Sequence, residues 1–174
     1  MLSRYRRVNL DTNVLIYHLE DEPRYASLIA PLFERAVEGS LEIVVSAIAF
    51  MEALVGPIRS GNVDLLERLM NMAVSHPNLW VEEVSRPIVV QAAFIRADSL
   101  DVRTRDKNEP KALAVADCLV LATGIATECG ATVTNDKRRW RRTLERLAQR
   151  PPMARGAEFL KLPPTLYLDE YVDN

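Results

Sequence analysis

Histidine and cysteine are scarce, with two of each in 174 residues. His18 and His76 share no ligand spacing with each other or with a thiol. This excludes a zinc site built from the usual nitrogen and sulfur donors, and both rings are expected to be structural. Cys118 and Cys129 lie eleven residues apart (129 − 118) on one predicted helix. Their separation is then about 16 Å along its axis, too far for a disulfide. Unpaired thiols fit a reducing compartment, so a cytoplasmic protein is expected.

Long hydrophobic runs are also missing. Glu52 and Asp117 interrupt the longest ones, which fall short of the roughly 20 residues a membrane helix needs, so no membrane contact is expected. The basic start, MLSRYRRVNLD, meets an apolar segment too short for a secretory signal. Nor is there an excess of either charge. A net −2 supplies no general attraction for nucleic acid, and any such binding must come from a local patch. Repeats and low-complexity segments are absent. What remains, 48% hydrophobic and 26% charged residues, is ordinary for one globular domain.

Short apolar strands alternate with helical stripes. Strands are expected at Arg7–Leu10, Leu41–Val45, Leu79–Val84, Ala131–Thr134 and Glu158–Leu162. Helices are expected from Asp11-Thr12-Asn13 through VLIYHL, over 24–39 closed by Gly39, and over AIAFMEALVG capped by Ser46 and ended by Gly56-Pro57. Further helices are expected over 63–74, from Pro87 to Leu100, over 111–129, and over the basic stretch 137–150. Residues 101–109 read as a polar connection, and the tail after Pro163-Pro164 is assigned no structure. This alternation predicts a three-layer α/β/α sandwich with a central parallel sheet. Residues 1–150 would form the main domain, and 151–174 an extension.

Four acids are out of place. Asp11 and Asp136 fall where strands end, the edge at which sites form in such sheets. Glu52 projects beside Ile48, Ala49 and Val55. Asp117 sits among Leu113, Ala114, Val120 and Leu121 in a helix whose side chains are nearly all small or apolar. Each has a structural reading: the strand-end acids as helix caps, Glu52 reaching solvent, and Asp117 salt-bridged to an arginine. Together they suggest a cluster. Carboxylates about 4 Å apart repel by about 4 kcal/mol at the effective dielectric of a protein site, unless a cation lies between them. An all-oxygen donor set suits Mg²⁺ or Mn²⁺. Such ions act on phosphates, so phosphodiester hydrolysis is the chemistry inferred.

The same residues resemble the PIN domain, the nuclease fold found in VapC-type toxins of toxin–antitoxin pairs. The likeness is carried by Asp11-Thr12-Asn13-Val14-Leu15-Ile16, by Ser46 with Glu52, by Asp117-Cys118-Leu119-Val120-Leu121-Ala122-Thr123, and by Thr134-Asn135-Asp136 followed by Trp140. The four motifs occur in family order over about residues 7–142. The resemblance implies a Mg²⁺- or Mn²⁺-dependent ribonuclease, with Asp11, Asp117 and Asp136 as metal ligands. Glu52 would complete the acidic pocket, and Asn13, Ser46 and Thr134 would orient carboxylates or water. RNA is the implied substrate, and an antitoxin protein and a second copy in a homodimer are the implied partners. Part of the 63–74 helix is a candidate surface for them.

Lys137, Arg138, Arg139, Arg141, Arg142, Arg146 and Arg150 make one helix strongly basic. Arg138 and Arg139, nearest Asp136, are the candidate RNA contacts, and Arg6, Arg7, Arg103 and Arg105 could extend the patch. Two other functions compete. A phosphatase of the haloacid dehalogenase kind needs a second Asp two residues after Asp11, where this chain has Asn13. A catalytically weak PIN domain that only binds RNA or protein has no need to keep four repelling acids together.

Overall fold

The computed structural model describes residues 4–105 (backbone alone for 101–105), 112–136, 140–141, 144–145 and 164–172. Five strands, β1 (Arg7–Leu10), β2 (Glu42–Ser46), β3 (Leu79–Glu82), β4 (Ala131–Thr134) and β5 (Thr165–Tyr167), form one parallel sheet ordered β3-β2-β1-β4-β5. The helices are α1 (Thr12–Leu19), α2 (Ala26–Val37), α3 (Ala47–Ser60), α4 (Val63–Ser75), α5 (Arg86–Arg105) and α6 (Val115–Ala126). Val8, Leu10, Ile43, Val44, Val45, Ala131 and Val133 are buried, as befits strands covered on both faces. Helices α1–α4 pack together, as do α5 and α6. The right-handed crossovers that parallel strands require place the two groups on opposite faces, giving three layers. No helix among the described residues is long and apolar enough to cross a membrane.

The strand order fixes where chemistry can sit. From β1 the chain moves outward through β2 to β3, then returns to the far side of β1 with β4 and continues to β5. Connections therefore diverge between β1 and β4, opening a crevice at their carboxyl ends. Asp11 follows β1 and Asp136 follows β4. Both flank that opening.

Several boundaries differ from the sequence reading. Helix α3 runs through Gly56-Pro57 and stops at Gly61, whose φ of +67° gives the left-handed end a glycine accepts. Gly56 has no Cβ to clash with the following proline ring, and Pro57 lies on the buried face with Ala49 and Ala53. Helix α5 continues to Arg105, since nothing in the first half of the polar connection breaks a helix. Helix α6 is shorter at both ends than 111–129: Ala112–Ala114 are not helical, and the first turn holds Asp117. Its end turns at Glu128 (φ +55°), leaving Cys129 beyond the helix. Both thiols are free and buried, and burial pushes them up to about 12 and about 11, which leaves them unreactive. The tail after Pro164 supplies edge strand β5 and a 3-10 turn, Leu168–Glu170. Three residues are too few for a periodicity to show. The strand expected at Glu158–Leu162 lies outside the described residues, as does most of the basic helix.

Gly124 marks the closest approach of α6 to the sheet. A Cβ there would stand 3.1 Å from Asn9 Nδ2 and from Thr132 Oγ1. Asn9 is buried and donates to the Val120 carbonyl at 2.9 Å, so it has little room to yield. Gly124→Ala should therefore cost about 1–2 kcal/mol net, because overpacking exceeds the gain in helix propensity. Thermal unfolding checks this, and a raised midpoint would show that the contact relaxes.

Candidate active site

At the end of β1 the chain turns into α1, and Asp11 caps that helix. Its Oδ1 accepts from the Thr12 amide at 2.8 Å. Its Oδ2 accepts from Asn13 Nδ2 at 3.0 Å and from the Thr134 hydroxyl at 2.6 Å. Two bonds fill Oδ2, while among the described residues Oδ1 accepts only one. The residue is only 7% exposed. Burial pushes its carboxyl up to about 6, hydrogen bonds from Thr134 and Thr12 oppose the rise, and the charges of Asp117 and Glu52 add to it. These two acids therefore act on Asp11 through space.

Thr12 links the first and second acids. Its amide serves Asp11 while its hydroxyl donates to Glu52 Oε2 at 2.7 Å. Glu52 is exposed, so its solvent-reaching reading and its place beside Asp11 hold together. Ser46 caps α3 as expected, its Oγ accepting from the Ile48 amide at 3.3 Å. No carboxylate bond to Ser46 is recorded among the described residues. Its contribution is to aim the helix that carries Glu52.

Asp117 is half-buried at the third position of α6, with Oδ2 accepting from the Ala114 amide at 3.0 Å. A carboxylate in a first helical turn is favoured by the free amides there. The charge read as mid-helix is thus a helix-start carboxylate aimed at the sheet edge. Asp136 is half-buried too. Its amide donates to Thr134 Oγ1 at 3.0 Å, and that hydroxyl is the one bonded to Asp11. Asn13 closes the ring: its Oδ1 accepts from the Asn135 amide at 3.0 Å.

The predicted acids thus share one edge of the sheet. Among the described residues no three His, Cys, Asp or Glu side chains form a ready-made ion cage, and carboxylates alone should stand apart, given their mutual repulsion. The donor set nevertheless fits a hard divalent cation in kind. It is all oxygen, and it contains a buried carboxylate whose charged form is disfavoured until a counter-charge binds.

His18 and His76 have structural roles. His18 stacks on Phe33 with centroids 3.4 Å apart, and His76 meets the same ring edge-on at 5.6 Å. Arg138 and Arg139 lie outside the described residues. Arg141 is held by Glu145 at 3.1 Å and Glu170 at 2.6 Å. Arg7 belongs to the opposite, amino edge, paired with Glu42 at 2.6 Å. There it lines a groove of about 790 Å³ with Arg4, Tyr5 and Arg6, so Arg6 and Arg7 do not extend a patch at the acids. Tyr17 and Tyr25 escaped the sequence reading, and Thr12 and Asn135 were named within motifs but given no role. Thr12 and Asn135 each adjoin a singled-out acid, whereas nothing in sequence pointed to the tyrosines.

The PIN domain model matches residues 8–145, and the chain belongs to the PIN domain family. No curated protein matches it. Solved structures share the fold. VapBC2 from Rickettsia felis, bound to a DNA fragment from its promoter, is 18% identical with a TM-score of 0.57, covering 79% of this chain and 92% of that one. VapBC-1 from nontypeable Haemophilus influenzae is 15% identical with a TM-score of 0.57, over 94% and 98%. The sarcin–ricin loop cleaving toxin VapC20 of Mycobacterium tuberculosis is 13% identical with a TM-score of 0.52, over 72% and 86%.

Asp11 has a consequence for stability. Its folded value of about 6 exceeds the ordinary 3.8, so between these pH values the folded state binds the extra proton. This favours folding below about pH 4 and is lost as pH rises through 6, a change of up to about 3 kcal/mol. Denaturant unfolding in chelator from pH 4 to 7 should show wild type losing stability relative to Asp11→Asn. Parallel curves would contradict the burial of a charged carboxylate.

Proposed function

We propose that the chain is a divalent-metal-dependent endoribonuclease using Mg²⁺ or Mn²⁺, the toxin of a toxin–antitoxin pair. The observation that carries this reading is the buried Asp11 carboxylate, wired to Thr134 and Asn13 and repelled by Asp117 and Glu52, at the divergence point of the sheet. Membership of the PIN family supports nuclease chemistry, and the shared fold of VapBC complexes supports the pairing.

In this reading Asp11, Asp117 and Asp136 would hold the cation directly or through water, and the cation would acidify water and offset charge on the phosphate. Asn13 and Thr134 keep the Asp11 carboxylate from rotating. Thr12 holds Glu52 Oε2, leaving Oε1 to orient the attacking water and accept its proton. Arg138 and Arg139 contact the RNA backbone without choosing sequence. Val63, Met70 and Val74 are exposed along α4, at a spacing that keeps them on one face. This face, apolar apart from the exposed Glu67 within it, supports contact with an antitoxin or with a second copy of the chain.

Two measurements test the reading. RNA cleavage by the purified chain should require Mg²⁺ or Mn²⁺, and should fall about 100-fold or more in Asp11→Asn and in Asp117→Asn. Millimolar Mn²⁺ should raise the unfolding temperature of wild type and not of Asp11→Asn. Metal-independent RNA binding without cleavage would instead make this PIN domain a binding module.

A further inference from the structure

Asn135 stands between Thr134 and Asp136, and the carboxyl-terminal segment grips it. Its Nδ2 donates to the Tyr25 hydroxyl at 2.7 Å and more weakly to that of Tyr17 at 3.4 Å. The Tyr25 hydroxyl donates in turn to Asp169 Oδ1 at 2.7 Å. The Asp169 amide then returns to Asn135 Oδ1 at 3.3 Å. These bonds close a ring, and only one orientation of the Asn135 amide satisfies it. Reversed, its carbonyl would face a hydroxyl whose proton is committed to Asp169, and its NH₂ would face an N–H.

The ring is braced. Tyr25 is buried and stacks on Tyr17 with centroids 4.6 Å apart. Arg24 pairs with Asp169 at 3.2 Å. On the other side of Asp136, Glu170 of the same 3-10 turn binds Arg141 at 2.6 Å. The turn thus holds the chain both before and after Asp136, and β5 anchors the turn in the sheet beside β4. Fixing a loop residue costs backbone entropy of about 1–2 kcal/mol per residue, and bonds from outside the loop can meet that cost.

We propose that Asn135 is a positioning residue, and that the turn Leu168–Glu170 with Tyr25 is a clasp that sets the place of the Asp136 carboxylate. The carboxyl-terminal residues then belong to the active machinery, although no acid of the site lies within them. The relevance to catalysis rests on the metal-dependent reading above. The clasp itself can be tested without that reading.

The experiment uses the full chain carrying Tyr25→Phe, Asn135→Ala, Asp169→Ala or Asp169→Asn. Tyr25→Phe keeps the stacked ring and removes only the hydroxyl, while Asp169→Asn keeps an acceptor for that hydroxyl. NMR-detected amide exchange should quicken at Asn135 and Asp136 in Tyr25→Phe and Asp169→Ala, with Thr132 and Val133 unchanged. Asp169→Asn should largely restore protection. Mn²⁺ affinity should fall about tenfold or more in Tyr25→Phe and Asn135→Ala, as for other outer-shell changes, with kcat for RNA cleavage falling more than KM changes. Folded variants with unaltered exchange, or with looser exchange but wild-type Mn²⁺ affinity, would overturn the proposal. If wild type neither binds Mn²⁺ nor cuts RNA, the metal-dependent reading fails and the exchange rates alone decide the clasp.

Discussion

The Asp11 carboxylate is the point from which this site is built. It is buried at the end of a central strand, caps α1, and takes three hydrogen bonds from Thr12, Asn13 and Thr134. Those bonds lower the cost of burying its charge but do not remove it, and the carboxyl is pushed up to about 6. A cost of that kind is unusual in a residue whose only task is capping, which an exposed Ser or Asn performs as well. The neighbouring acids increase it. Structure that is locally unfavourable and held by its surroundings is a mark of function.

Topology brings the other parts to Asp11. Parallel strands β1 and β4 pair through Leu10 and Val133, so the residues leaving them emerge side by side. Thr134 then reaches back to Asp11 while its hydroxyl also accepts the Asp136 amide. One hydroxyl thus couples the first and last acids. Helices α3 and α6 deliver Glu52 and Asp117 to the same edge, α3 aimed by the Ser46 cap and α6 begun by Asp117 itself. The carboxyl-terminal strand completes the sheet and places its turn against Asn135.

Much of this was readable in the sequence. Short runs rich in Val, Ile and Leu marked β1 to β4, and their alternation with helices required the parallel sheet. Asp11 and Asp136 were legible because strand ends are where such folds place their sites. Asp117 was noticed for a reason that proved incomplete. It is an acid at a helix start, half-buried, and only the fold shows that this start faces Asp11. Ser46 was legible as the cap of α3, because a hydroxyl residue stands between an apolar strand and a helical stripe. Strand β5 was illegible because its three residues are too few for a pattern and are fixed only by pairing with β4. The Asn135 ring was illegible because it joins residues as far apart as Tyr25 and Asp169. Patterns within a short window carry no record of such contacts.

The central claim is that the strained charge on Asp11 awaits a divalent cation. The most direct test is the affinity of the full chain for Mn²⁺ as a function of pH, measured by titration calorimetry from pH 5 to 7.5. Proton and metal should compete for Asp11, so affinity should weaken about tenfold per unit below about pH 6, the folded value of this group. Asp11→Asn should bind far more weakly at every pH. Affinity independent of pH, or equal in wild type and Asp11→Asn, would contradict the account.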